Sequence, residues 1–510
     1  MKAATPVRRA AGIDARARRI ILILLTFSTL TLAVVWLRPT EPIDPEEALS
    51  DFRQLKIHLA EAWANMEWIA GHRGVDLEEA DRRTTAALRE VKSVREAQEL
   101  LISFVRSFRD PHFYARPVEP SLIEKLIQGG GSEAPPVVEA TMSGSRACKA
   151  LGFRSRDLGF RLRFASQKGF EPVTSRDENP FEAGILAIPG GRRVALLRLA
   201  HFGEDGYPEV CREVWEEYRG LMEAPCTNGW CGSFRTMIRN RLLAYIEDRI
   251  RTMKQAGYEM LVVDLTGNGG GTDWVQATAQ IVSPRKLACN RSSFVRHPHW
   301  QAILEQMRTD LGAELAQEDI AAPVREKLAA ADGNLEALIA QTKAPCNRMP
   351  MWEGEPPEGG CTNLVVGESY TCGLFPYLEP GSLPGVGRPR LLFKAFANEY
   401  NESVNDRPVA VLIDNGTASA SEDFGSILQD NGAAVIVGTR SYGAGCGFVN
   451  GGIPLVLEHV GLRVMAPDCI RFRKDGMNEI EGITPDIDLG WEGDSLKERT
   501  AKVIAALADL

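Results

Sequence analysis

Apolar residues at three- and four-residue spacing open the readable part of the chain. In "FRQLKIHLAEAWANMEWI" they are Leu55, Leu59, Trp63 and Met66, one face of an amphipathic helix. "DLEEADRRTTAALREV" follows with an acidic first turn, and "SVREAQELLISFVRSF" with Ser93 as its N-cap. Residues 51–115 therefore read as a small helical bundle, broken at Pro111 and Pro117 in "RDPHFYARP". Residues 116–190 lose the period. They are rich in Gly, Pro and polar residues, with short predicted strands such as "GFRLRFA".

From residue 191 the pattern alternates between strands and helices. "RRVALLRLAHF" predicts a strand and "FRTMIRNRLLAYIEDRIRTMKQAG" a long helix ending at Gly257. "EMLVVDLTGNGGG" predicts a buried strand running into glycines, followed by a helix in "DWVQATAQIV". "RPVAVLIDNGTASASEDFGSILQDNG" repeats the strand, small-residue turn and helix. "AVIVGTR", "GIPLVLEH" and "LRVMAP" predict further strands, and 496–510 a terminal helix. This alternation predicts an α/β core over 191–495, with a helical insertion at about 291–358.

The N-terminus is set apart by its apolar content. Ile20 to Leu37 contains no charge and only four hydroxyl residues, and as a helix would span about 27 Å, close to a bilayer's hydrocarbon thickness. A basic tail, 1–19, precedes it and a Pro- and acid-rich linker, 38–50, follows. Cations before an apolar span keep the N-terminus in the cytoplasm. The expectation is a single-pass anchor in the cytoplasmic (inner) membrane with the body on the periplasmic or extracellular side. A cleaved signal peptide would need a shorter apolar core and an A-x-A-like exit, and "VVWLRPTEP" offers none.

Composition fits that placement. Of 510 residues, 44% are apolar and 25% charged, ordinary for a folded protein and too long for one simple core. Residues 1–38 carry seven cations and one anion, so of the total charge of −9 the remainder carries −15. An acidic body without basic clusters excludes nucleic acid as the expected partner. Ten cysteines, an even number, suit an oxidising compartment. Cys226 and Cys231 are close enough to staple one loop, and Cys289, Cys346, Cys361 and Cys372 bracket another region. No C-x-x-C pair occurs and no histidine lies at ligand spacing from a cysteine, so no metal is expected. No cofactor is expected either. The glycines of "DLTGNGGG" match neither a Walker A loop nor a dinucleotide fingerprint.

Four short stretches carry the candidate chemistry. Ser419 stands at the start of the helix in "SASEDFGSILQDNG", where free backbone N–H groups and the positive dipole end can hold an oxyanion. The plain alternative for Ser419 or Ser421 is an N-cap. Gly267 to Gly271 can expose bare N–H groups or form a tight turn. His112 follows a proline at a helix exit, where a capping or surface role competes with a chemical one. Glu481 lies in "EIEGITPDIDL", a motif or a solvated acidic turn.

Taken in order, "DLTGNGGG", "TASASE" and "IEGITPD" resemble the motifs of the serine peptidase family that includes tricorn core and the carboxyl-terminal processing peptidases. The resemblance covers roughly 192–290 and 360–490 and implies a ClpP/crotonase-like fold. It implies Ser419 as nucleophile. The Ser–Lys members carry F-G-K-G where this chain reads Tyr442-Gly443-Ala444-Gly445, so the lysine is replaced by alanine. Lys474, in "RFRKDG", is the only lysine between Ser419 and Asp494 and reads as exposed. The tricorn-like branch uses a histidine just after the N-terminal helices, which implies His112 as general base and Glu481 as the group that orients it. The branch's second serine would precede the histidine, where Pro111 stands instead. The N–H groups of Ala420 and of Gly269 or Gly270 would form the oxyanion hole. Cys446 then reads as a disulfide partner, of Cys469 among others, rather than a rival nucleophile. Residues 116–190 lack the A-x-x-A-G-L-x-x-G-D signature of the PDZ domain found in processing peptidases, so specificity for C-termini is not implied. The expected function is a membrane-anchored serine endopeptidase cutting peptides or proteins. The alternative is a catalytically inactive ligand- or peptide-binding protein on the same fold.

Overall fold

A computed structural model describes residues 41–118, 137–173, 179–226, 231, 233–272, 274–344 and 346–510. The apolar segment 20–37 and its basic tail lie outside the described residues. Among the described residues no helix is long and apolar enough to cross a membrane.

The fold is mixed α/β. Its centre is a seven-stranded sheet in the spatial order Ile487–Asp488, Val435–Gly438, Val409–Ile413, Met260–Asp264, Arg193–Arg198, Ala183–Ala187 and Phe170–Pro172. The first five strands run parallel, and the last two are added at one edge by antiparallel pairing, so that only Ala183–Ala187 runs in the opposite direction. Buried on both faces, the central strands read as continuous apolar runs, "MLVVD" and "VAVLI". Successive side chains point to opposite faces. Val194, Leu196 and Val262 pack with Val503 and Leu507 of the C-terminal helix Leu496–Asp509. Ala195, Leu197, Leu261 and Val263 face the other way, against helices Phe234–Ala256, Val275–Val282 and Ala420–Asp430.

The helical bundle begins earlier than the expected linker boundary, at helix Pro45–Ala62, because Asp44 caps it in a reciprocal box with Glu47. Helices Met66–Gly71, Leu77–Leu88 and Val94–Ser107 complete it. Its core of Phe52, Leu55, Leu59, Trp63, Leu101, Phe104 and Phe108 is continuous with Leu462, Val464 and Ile480, which belong to the C-terminal part of the chain. Bundle and C-terminal part thus share one apolar interior. Strand Tyr114–Pro117, leaving the bundle, pairs antiparallel with Leu462–Met465. Arg348, fully buried, donates to the carbonyls of Ala60 at 2.7 Å and Trp63 at 3.0 Å. It thereby satisfies acceptors that the end of helix Pro45–Ala62 leaves open.

One predicted strand is corrected. "GFRLRFA" is not in a ladder. Its alternation is real, but Leu162 and Phe164 bury themselves against Leu186 and Leu196 on the sheet's face instead of extending the sheet. Phe170–Pro172 is the strand that joins the edge, so the described part of 137–173 packs with the main sheet. Helices Pro298–Leu315 and Ala322–Thr342 pack together between the second and third parallel strands in chain order. All ten cysteines are paired: Cys148–Cys211, Cys226–Cys231, Cys289–Cys372, Cys346–Cys361 and Cys446–Cys469.

Candidate active site

Strand Val409–Ile413 ends in Asp414, and a four-residue turn delivers Ser419 to the first turn of helix Ala420–Asp430. Ser419 has φ +56° and ψ −117°. A non-glycine residue in such backbone costs on the order of 1–3 kcal/mol and persists only where neighbours over-determine it. They do so here. Thr417 Oγ1 donates to the Leu265 carbonyl at 3.0 Å, and the Ala418 N–H to the Asn268 carbonyl at 3.0 Å. The Gly267 N–H donates to Asp414 Oδ1 at 2.7 Å, and Asn268 Nδ2 to the Leu199 carbonyl at 2.8 Å. The glycine turn of one strand and the serine turn of the next are therefore locked into one unit.

At that junction Gly270 has φ +96°. A Cβ there would stand 2.7 Å from the Ala418 carbonyl oxygen and 2.9 Å from both Ala420 N and Ser419 Cβ. Only glycine fits. Its N–H is committed to Asn268 Oδ1 at 2.9 Å, so Gly270 is not a free donor, and that part of the expectation is corrected. No hydrogen bond among the described residues uses the N–H of Gly269 or of Ala420. Gly269 is exposed. The Ala420 N–H, next to Ser419 in the chain, and the Gly269 N–H, next to Gly270, are thus without a protein acceptor among the described residues.

His112 comes from the bundle; among the described residues no hydrogen bond joins its ring to Ser419, and its ring nitrogen Nδ1 lies instead against the Ala444 carbonyl. The His112 backbone N–H donates to Oδ1 of buried Asp110 at 3.2 Å, whose Oδ2 accepts from Trp63 Nε1 at 3.0 Å and Asn65 Nδ2 at 2.9 Å. Burial raises the Asp110 pKa above the usual carboxylate value, and these donors oppose the shift. The His112 ring is half-buried, with Nδ1 2.8 Å from the Ala444 carbonyl oxygen. A carbonyl only accepts, so Nδ1 carries the proton and Nε2 is left with its lone pair. A Cβ at Gly447 would lie 3.2 Å from Cδ2 and 3.3 Å from Nε2, so the ring rests directly on this glycine.

Glu422 connects the two halves. Its Oε2 accepts from the Ser419 N–H at 2.8 Å and the Ala444 N–H at 2.9 Å; its Oε1 accepts from Ser441 Oγ and the Gly443 N–H, both at 2.6 Å. The segment that orients His112 through the Ala444 carbonyl is thus hung from the carboxylate that holds Ser419. Arg471 braces the same pair, donating to the Ser419 carbonyl at 2.9 Å and the Gly445 carbonyl at 2.8 Å, and it pairs with buried Glu479. Burial opposes the Arg471 charge, but Glu479, Asp423 and Glu422 more than offset this and hold its pKa above the ordinary arginine value. Cys446–Cys469 fixes the segment covalently.

Glu481 is elsewhere, which corrects its expected orienting role. Its Oε1 accepts from Trp68 Nε1 at 2.9 Å and Arg73 Nε at 2.8 Å, and no hydrogen bond joins it to His112. The physical reason is that the bundle brings its own cation and donor to this carboxylate, while the backbone carbonyl of Ala444 has already taken Nδ1. A cavity of about 330 Å³ lined by Gln429, Arg440, Arg473 and Glu481 includes neither Ser419 nor His112. Lys474 is exposed, with its backbone N–H on Asp430 Oδ2 at 3.1 Å. Among the described residues no cluster of His, Cys, Asp or Glu is fit to hold a metal ion. Glu422, Arg471 and the Ala444 carbonyl were not singled out by sequence. Glu422 had a signal, as the last residue of "TASASE"; the other two had none.

Residues 243–489 match peptidase family S41. A carboxy-terminal-processing protease of Bartonella bacilliformis is 36% identical over 113 residues, 22% of this chain and 25% of that protein. A carboxyl-terminal-processing protease of Synechocystis is 50% identical over 44 residues, 9% of this chain and 10% of that protein. The chain thus spans a quarter or less of the length of these curated relatives. Among solved structures, mature CPAF complexed with lactacystin superimposes with a TM-score of 0.50 at 14% identity, covering 91% of this chain and 97% of that one, a likeness of fold.

Proposed function

From the match of residues 243–489 to peptidase family S41, we propose a serine endopeptidase that hydrolyses peptides or proteins outside the cytoplasm. Its core is of the ClpP/crotonase-like kind. The observation that carries the reading is the link through Glu422: one carboxylate oxygen holds the Ser419 N–H and the Ala444 N–H, and the Ala444 carbonyl fixes the His112 tautomer.

Ser419 Oγ attacks the scissile carbonyl carbon as His112 Nε2 takes its proton. The Ala420 and Gly269 N–H groups hold the oxyanion that forms. Losing one such donor typically costs about a hundred- to a thousandfold in rate. The imidazolium returns the proton to the leaving amine, and water, deprotonated by the same Nε2, releases the acyl group. In this scheme the Ala444 carbonyl does what the carboxylate of a Ser–His–Asp triad does for orientation, without its charge.

Five disulfides support an oxidising compartment, and the apolar segment 20–37 supports a membrane anchor. A fluorophosphonate probe on the full chain is the test. Covalent labelling at Ser419, lost in Ser419→Ala and weakened in His112→Ala, is expected. A fully folded chain that stays unlabelled would favour the ligand-binding alternative.

A further inference from the structure

The strap of chain that meets His112, residues 443–449, is hung at both ends from buried carboxylates. Glu422 holds its start, at the Gly443 and Ala444 N–H groups. Asp468 holds its far end. The Asp468 N–H donates to the Gly447 carbonyl at 3.1 Å, and Asp468 Oδ2 accepts from the Val449 N–H at 3.4 Å. Gly447 is the residue on which the His112 imidazole rests, with a Cβ there 3.3 Å from Nε2. The helical insertion grips the same end: the Val449 carbonyl lies 2.9 Å from His299 Nε2. A carbonyl only accepts, so that nitrogen carries a proton.

Asp468 is itself placed from three sides. Its carbonyl accepts from the Val295 N–H at 3.0 Å, and the carbonyl of Pro467 before it accepts from the Ala64 N–H of the bundle at 2.8 Å. Cys469 after it closes the disulfide to Cys446 of the strap. The side chain is wholly buried, and Oδ2 stands 3.8 Å from His299 Nε2. Oδ1 has no hydrogen-bond partner among the described residues, and neither has the buried Nε1 of Trp300, the residue after His299. Glu422 takes four donors; Asp468 is left short of them. Burial accordingly raises the Asp468 pKa to about 7, opposed by the Val449 N–H and Trp300. Other ionisable groups stand on the neighbouring elements. Burial lowers the pKa of His297, at the cap of helix Pro298–Leu315, and that of His58, on the bundle's first helix, the latter to about 4. Arg296 turns its Nε to the Leu364 carbonyl at 3.4 Å. Residues 443–450 of the strap carry no titrating group, because Cys446 is paired.

We infer that Asp468 is a positioning residue for His112: as a carboxylate it gathers the Val449, Trp300 and His299 N–H groups and holds Gly447 under the imidazole, and on taking up a proton it lets the strap slacken and the reaction slow. This rests on the assignment of His112 as general base. Hydrogen bonds to a charged acceptor are roughly twice as strong as neutral ones, so the ionised form is the one that draws the three donors in.

Asp468→Asn keeps the shape and an acceptor for Val449 but removes the charge. Labelling of Ser419 in the full chain by a fluorophosphonate probe, split into kinact and KI, is the readout. At pH 8 the variant's kinact should be about tenfold below that of the wild type, the difference between a charged and a neutral bond, with KI within about twofold. At pH 6 the two should nearly coincide. Stability should move the other way. A carboxylate whose folded pKa is raised loses stability as pH climbs from its unfolded value, about 3.9, to its folded one. The variant should therefore melt above the wild type at pH 8 and lead by less at pH 5, which a merely structural role would not produce. Equal kinact at pH 8, or a loss that is the same at both pH values and comes with a lower melting temperature, would overturn the inference. The wild type carries a check that needs no variant and no activity. Hydrogen exchange of the 447–450 amides, corrected for intrinsic rate, should show protection about tenfold higher at pH 8 than at pH 6, and flat protection overturns the inference. A wild-type chain that the probe does not label has failed as a peptidase, and the exchange result then decides the role of Asp468 separately.

Discussion

Glu481→Gln separates the orientation of His112 by the Ala444 carbonyl from orientation by a carboxylate. In the structure the Glu481 carboxylate holds Trp68 and Arg73 of the bundle, and its side chain is about one-fifth exposed, as is that of Arg73. Glutamine keeps an acceptor of the same shape but loses the charge. A hydrogen bond to a charged group contributes about 1.5–3 kcal/mol and a neutral one about 0.5–1.5 kcal/mol. Part of that difference is screened at a partly exposed site. Two bonds sharing one oxygen therefore weaken the bundle's attachment by about 1–2 kcal/mol in total. Chemistry at Ser419 should stay within a few-fold of wild type. If the carboxylate instead oriented the imidazole, its neutralisation would cost on the order of ten-thousandfold in kcat, as in a Ser–His–Asp triad. Steady-state kinetics on a cleaved peptide, paired with thermal unfolding of the same preparation, reads both numbers. A loss above a thousandfold with an unchanged melting temperature would refute the reasoning. The pH dependence adds a second check. Burial alone would raise the Glu481 pKa, but the bonds from Trp68 and Arg73 more than offset it and leave the pKa below its ordinary value. A carboxylate depressed on folding contributes stability that is present above its unfolded pKa, about 4.3, and is lost as pH falls through the lower folded value. The wild type should lose this part of its stability on acidification below about pH 4.3, and Glu481→Gln should not.

Ser419→Ala and His112→Ala should each abolish turnover to a similar residual rate, and the double variant should be scarcely slower, because members of one unit are not additive. Folded His112→Ala at full activity, with Lys474→Ala dead, would defeat the histidine assignment. Gly270→Ala should cost about 2–4 kcal/mol from overpacking and positive φ together and lower kcat by about a hundredfold, read by unfolding and kinetics; a silent substitution would contradict the close approach to Ser419 Cβ. Alkylation of the denatured, unreduced protein should label none of the ten cysteines, and labelling of most would remove the argument for an oxidising compartment.

What could be read without the structure follows the locality of each signal. The glycine and serine turns are local: small residues after an apolar strand need no distant partner to be recognised, and Ser419 does stand at the helix N-terminus that this pattern predicts. "GFRLRFA" misled because period-two burial is the same whether the alternate residues face a neighbouring strand or lie on a sheet's face. Glu481 misled for another reason. A motif gives a residue type and position, but which donor reaches a carboxylate depends on how the bundle docks, and Arg73 and Trp68 come from more than four hundred positions away. The Ala444 carbonyl was illegible in principle, since every residue has one. Arg471 was illegible because nothing in "CIRFRKDG" distinguishes the arginine that reaches the Ser419 carbonyl from Arg473, two residues on, which pairs with Asp430.

His112 and the carbonyl that orients it are 332 positions apart in the chain. At about 5–20 residues per second, tens of seconds of synthesis separate them. During that interval the histidine-bearing bundle exists without Ser419, and its interior lacks Leu462, Val464 and Ile480, which arrive later still. The proposed hydrolytic centre is therefore assembled only late in the chain's own completion. A nascent or truncated polypeptide that ends between Ser419 and Ala444 lacks the carbonyl that orients the imidazole, and on the proposed mechanism it would be unable to cut itself or the machinery that makes it.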